Sequence, residues 1–399
     1  MSQIIEQTDH TPLRELPLYA SHLARAATII EFDGWLQPAH YGNVRREYDA
    51  VRSSSGAGLF DLSARGRIEV RGAEAVQFLN GLITNDVKTL AAGAWMHAAF
   101  PNVQGRLLAH ARVARPGDEV SFLIDTEPAT HEKVFKTLER FTLAGDFRVR
   151  DLSAETAQFS LQGARAGALI ESVLGSGLAE IGRQGVSVVS WRENDPVTIW
   201  RATHTGEDGY DLVCTARAAV DLWEALTKAG ARAVGFEAFE VLRVEAGGPR
   251  YGVDVNETSV VLEAVREEDA VSYTKGCYIG QEIIARIHWR GHVAKRLAGL
   301  VLEGDGELDG NAKVRTADGK EIGRITSSVF SPQLDRRIAL AILKYDYLKP
   351  DTQVFVISKD EERPARVASL PFIDGSWDAT NASSGDSDGE TSGDGETSL

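Results

Sequence analysis

The sequence predicts an α+β protein with antiparallel sheets, ending in a small all-β domain. Three observations carry that expectation. Strand-like and amphipathic helical runs follow one another without strict alternation up to His288, which disfavours a doubly wound parallel sheet. A Pro-Gly-Asp turn between two strand-like runs (VARPGDEVSF) marks a hairpin and therefore antiparallel pairing. Beyond His292 helical periodicity disappears and short strands come at close intervals, the pattern of a small barrel.

The elements follow in order. Residues 1–31 read as an N-terminal extension with a short helix. RIEVRG and SFLIDT read as strands. Val76, Leu79 and Ile83 repeat at helical spacing, and so do Val134, Leu138 and Phe141 ahead of Gly145. Val220, Trp223 and Leu226 form a third helix closed by Gly230. YDLVCT is a strand whose Tyr210, Leu212 and Cys214 share one face, making Cys214 a small buried hydrophobe. RLAGLVLEG, KVRTADGKEIGRITSS, RIALAIL, TQVFVIS and RPARVASLPF are the barrel strands, over residues 292–372. Residues 373–399 read as a disordered acidic tail, because Gly, Ser, Asp and Glu without aliphatics cannot offset the entropy of ordering.

Composition bounds the function. A chain of 399 residues, 43% hydrophobic and 25% charged, suits a globular protein of two or three domains. The formal charge is −15, but the last 26 residues hold seven acids and no base. The remaining −8 is an ordinary excess, and no general affinity for nucleic acid follows from it. Two cysteines, no apolar run of membrane length and a polar N-terminus point to the cytoplasm.

Several chemistries lack their motif. GSGL at Gly175 begins like a dinucleotide fingerprint, but Glu180 stands where its third glycine belongs. No phosphate-binding Gly-Lys-Ser/Thr loop and no Gly-x-Ser-x-Gly elbow is present. His131-Glu132 is followed by Phe135 at the zinc spacing, and His288 with His292 makes no ligand set, so no metal site is expected.

Four stretches together resemble the family that unites the glycine-cleavage T-protein (aminomethyltransferase) with YgfZ-type folate-binding proteins. They are AGLFDLSARGRIEVRG with FLNGLITNDVKTL, THTGEDGYDL (203–212), EVLRVEAGGPRYGVD (240–254) and EIGRITSSVFSPQLDRRIALA. The resemblance implies a three-lobed, aminomethyltransferase-like fold: two interleaved α+β lobes over residues 32–288 and a C-terminal barrel, around a folate pocket. KGCYIGQE (275–282) resembles the YgfZ signature, which T-proteins lack.

The resemblance also nominates residues. T-proteins carry an acid pair where NVQGRLLAHAR places Ala109 and His110, and alanine cannot handle a proton. Glu207 matches the glutamate that lies against the pterin, and a carboxylate can accept two of the pterin's N–H groups in parallel. Arg243 is expected either to meet a folate carboxylate or buttress the pocket, or else to pair with Glu240 or Glu245, with Asn102 and Tyr210 as further cofactor contacts. Asp86 reads as a turn residue. Cys277 is the expected functional thiol: Gly276 admits close backbone approach, a helix starts at Gly280, and Lys275 adds a cation, all favouring thiolate. The function implied is tetrahydrofolate binding in support of iron–sulfur cluster assembly or repair, with indirect effects on tRNA modification. Partners would be cluster-assembly proteins or cluster-containing clients, with no direct nucleic acid and no membrane. The alternative is an aminomethyltransferase that passes a one-carbon unit to tetrahydrofolate.

Overall fold

The computed structural model describes residues 13–377 except positions 143, 144, 193, 194, 305 and 360. Two mixed lobes and a barrel form around three main cores. The first lobe is a five-stranded antiparallel sheet ordered Ala94–Pro101, Leu107–Arg115, Ser121–Thr126, Gly66–Arg71, Arg148–Asp151. Helices Ala75–Leu82 and Pro128–Glu139 cover it, burying Leu79, Leu82, Val134 and Leu138 in one cluster with Ile68, Phe100 and Ile124. The second lobe is a six-stranded sheet ordered Val186–Trp191, Asp195–Arg201, Gly209–Thr215, Thr156–Gln162, Gly58–Asp61, Arg232–Ala233. Gly58–Asp61 lies in the second sheet while Gly66–Arg71, the next strand in the chain, lies in the first, so the lobes are interleaved.

The C-terminal domain is a closed six-stranded barrel, Lys295–Leu302 pairing with both Arg336–Lys344 and Glu361–Ala368. Closure leaves no unpaired edge. The expected helices are all present: Ala219–Ala229, for example, ends on Gly230 in the left-handed region (φ +118°). Cys214 lies buried with Tyr210 and Leu212 in the second-lobe core, as the strand alternation requires.

Both chain ends depart from expectation. The boundary drawn after residue 31 cuts strand Thr28–Phe32, which pairs with Trp35–His40. Leu18 is fully buried in the second-lobe core, and buried His22 bonds Asp61 (2.8 Å) and the Tyr41 hydroxyl (2.8 Å). Residues 13–31 are thus part of the body; their elements are too short to show a period. At the other end Ile373 is buried and residues 374–377 pack on the second lobe. The rest of the predicted tail lies outside the described residues.

Candidate functional site

The inner faces of the two sheets meet along a polar seam, and strand register explains its composition. Across the first sheet His97 is opposite Arg112, Arg112 opposite Asp125, and Asp125 opposite Arg67, a polar and charged row over four of the five strands. Facing it, Asp211 lies between Trp200 and Ser160 on the second sheet. Arg112 spans the gap, with Nε 2.7 Å from Asp125 and Nη2 2.6 Å from Asp211, while the Trp95 and Trp200 rings flank its guanidinium. Arg65 grips Asp125 through two bonds (2.8 and 2.7 Å), and His204 Nε2 lies 2.9 Å from Asp211.

Burial alone would raise the pKa of Asp125, but Arg112 and Arg65 more than offset it and hold the carboxyl well below the usual range. Asp211 is held down in the same way by His204 and Arg112. These two acids stay ionised and fully engaged, so they tie the lobes together and are unsuited to exchanging protons near neutrality.

His110 projects beside this row, its ring stacked on His97 with centroids 5.0 Å apart. Burial, and then the charges of Arg65 and Arg112, push His110 down to about 4. His97 is also lowered, chiefly by burial. Both imidazoles are therefore neutral at physiological pH. Ala109, on the opposite face, is fully buried in the first-lobe core. Glu127, at the start of helix Pro128–Glu139, takes the Tyr251 N–H on Oε2 (2.9 Å), and desolvation raises its pKa despite Arg65 and Arg250 nearby. Arg250 lies against Phe32, Phe236 and Phe239, giving the seam an aromatic wall. His97, His110, His204, Glu127 and Phe239 are each partly rather than fully buried. Of its buried polar atoms, His97 Nδ1, Trp200 Nε1 and Arg250 Nη1 lack a hydrogen-bond partner among the described residues. Polar atoms and flat aromatic surface thus lie side by side along the seam.

The residues nominated from sequence fall in different places. Glu207 is on the turn after His204, and its Oε1 takes Arg52 Nη1 at 2.8 Å. Asn43 caps helix Val44–Arg52, whose Tyr48 and Arg52 are one turn apart and both bond Glu245. Arg243 is a joint residue. Its five N–H groups reach Glu240 twice, the Gly248 carbonyl, Asp254 and barrel Ser327, leaving none for a folate carboxylate. Asp254 and Glu245 bond barrel residues too, Thr326 with Ser327 and Ser331, so the Arg-x-Glu segment couples helix Phe236–Glu245 to the barrel.

Tyr210 is not at the seam either. It is 1% exposed in the second-lobe core with its hydroxyl on the Ala179 carbonyl, whereas the next residue, Asp211, faces inward. Strand alternation contained that signal. Asn102 caps the hairpin turn, its Oδ1 accepting the N–H groups of Gln104 and Arg106. Asp86 is the turn cap expected, accepting from Lys88 N and Asn80.

Cys277 is exposed, three residues before the cap of helix Gln281–Arg290 and outside its first turn. A Cβ at Gly276 would meet open space; the close approach is at Gly280, where it would stand 2.3 Å from the Asn102 carbonyl oxygen and φ is +78°. The Lys275 ammonium is bound to the carbonyls of Ile83 (2.8 Å) and Asn85 (2.7 Å), and burial pushes it down to about 8. Lys275 therefore latches the cysteine loop to the first lobe. Among the described residues no cluster of three metal-ligating side chains occurs, and no helix is long and apolar enough to cross a membrane.

Comparison with known proteins agrees with this architecture. The GCVT N-terminal domain family matches residues 18–267, and the glycine cleavage T-protein C-terminal barrel domain matches residues 295–374. The chain belongs to the glycine-cleavage T-protein family. An aminomethyltransferase of Rubrobacter xylanophilus is 33% identical over 362 residues, spanning 90% of this chain and 94% of that protein. One from Geobacillus kaustophilus is 32% identical over 368 residues, spanning 90% and 98%. The crystal structure of the glycine cleavage system aminomethyltransferase T from Bartonella henselae superposes with a TM-score of 0.83 at 26% identity, covering 91% of this chain and 98% of that one.

Proposed function

We propose that the chain binds a reduced folate in the seam and transfers a one-carbon unit in the manner of an aminomethyltransferase. The observation that carries this reading is kinship over nearly the whole length of both chains to proteins named for that activity, joined to a polar and aromatic seam between the lobes. His97, His110 and Arg250 would present polar atoms to the ligand, and the phenylalanines its stacking surface. With alanine at 109, proton handling falls to the remaining seam groups, neutral His110 and the raised carboxyl of Glu127. Iron–sulfur support is the second reading. It is favoured by exposed Cys277 within KGCYIGQE and by the missing acid pair, and the relatives offer nothing specific to it. Mixing the protein with tetrahydrofolate and an aminomethyl-loaded lipoyl carrier separates the two. Methylenetetrahydrofolate formed at each turnover supports transfer; folate binding without product leaves the second reading in place.

A further inference from the structure

Past the last barrel strand the chain turns back onto the second lobe. Phe372 donates its N–H to the Glu245 carbonyl (2.8 Å), and Trp377 donates its own to the Gly206 carbonyl (3.0 Å). Gly375 lets the chain pass closely, since a Cβ there would stand 2.0 Å from the Gly206 oxygen. The Trp377 ring lies under the Arg183 guanidinium, 4.4 Å away. Between these anchors Ser376 gives both its N–H (3.0 Å) and its hydroxyl (2.7 Å) to a single oxygen, Glu207 Oε2. The Ser376 hydroxyl oxygen in turn accepts the Asp208 N–H (2.9 Å).

A carboxylate oxygen has two lone-pair directions, so Oε2 is saturated, while Oε1 holds Arg52. A flat ligand edge with two parallel N–H donors needs a lone pair on each oxygen. The strap and such a ligand therefore compete for Oε2. We propose that residues 374–377 act as an intramolecular competitor for the Glu207 carboxylate, and that Ser376 must leave before a ligand donating paired N–H groups is bound there. This rests on the proposed binding of a reduced folate and deepens it by setting the pterin edge on Glu207, the contact that the family resemblance implies. A closed strap lowers apparent affinity by the fraction of molecules in which it is open.

The full-length chain tests this. Ser376→Pro removes both donors, whereas Ser376→Ala removes only the hydroxyl. Calorimetry with 5-formyltetrahydrofolate is expected to show binding at least fivefold tighter in Ser376→Pro, with Ser376→Ala between it and the wild type. Amide exchange over residues 372–377 of the wild type is expected to accelerate when the ligand saturates. Equal or weaker binding by Ser376→Pro, or slower exchange with ligand, overturns the strap while leaving folate binding standing. No heat from any of the three chains overturns folate binding, and the strap falls with it.

Discussion

Arg112 and Asp211 meet at 2.6 Å across the inner faces of two different sheets, a buried charged tie between the interleaved lobes. Both side chains are almost completely buried, and Asp125 completes the arrangement from the first sheet. Losing the cation takes a partner from both buried carboxylates, leaving Arg65 on Asp125 and His204 on Asp211. Arg112→Ala is expected to cost about 3–5 kcal/mol in urea unfolding. A loss below about 1 kcal/mol shows that the pair does not hold the lobes.

The stacked histidines make stability depend on pH. His110 has a folded-state pKa of about 4 against 6.5 for an unperturbed histidine, and His97 is lowered too. A depressed pKa means that the unfolded chain binds the proton more readily. The stabilisation is therefore complete above pH 6.5 and is lost as pH falls towards 4. His110→Asn is expected to flatten the fall in melting temperature across this window, by an amount equivalent to roughly 1–3 kcal/mol. Parallel curves for variant and wild type contradict the assignment.

Arg243 separates joint from ligand contact. Arg243→Ala takes the buried cation from between Asp254 and Glu240 and is expected to lower stability by about 3–5 kcal/mol. Reduced-folate affinity per folded molecule is expected to stay within about twofold, since each loss of 1.4 kcal/mol is tenfold. A tenfold loss at full foldedness would restore Arg243 to the binding site.

The two thiols are expected to behave differently. Burial pushes Cys214 up to about 12, so it labels only when the chain unfolds, whereas exposed Cys277 labels in the native state. Cys277→Ser is expected to leave folate binding and one-carbon transfer unchanged. Loss of iron–sulfur enzyme activity in cells relying on the variant, with transfer absent in vitro, would favour the second reading.

The sequence made the architecture legible where burial imposes a period. The barrel strands, the helix closing at Gly230 and the burial of Cys214 all follow from alternation or helical spacing. The site was less legible because its residues are brought together by register between distant strands. His97, Arg112, Asp125 and Asp211 come from four strands in two sheets, and no local pattern pairs them. One signal was available: His110 and Arg112 are charged or polar residues two apart in an apolar strand, a costly placement unless both face partners. Arg243 and Tyr210 were nominated by motif membership alone. Within a shared motif, one residue can serve the site while its neighbour packs the core.

The central claim is that the seam between the lobes takes a reduced folate. Its most direct test is calorimetric titration with 5-formyltetrahydrofolate of the wild type and His110→Trp, whose indole would fill the space beside His97. Saturable, one-to-one binding is expected for the wild type and at least a hundredfold loss for the variant, with its melting transition still cooperative. Undiminished binding by a folded His110→Trp, or no binding by the wild type or by Ser376→Pro, would contradict it.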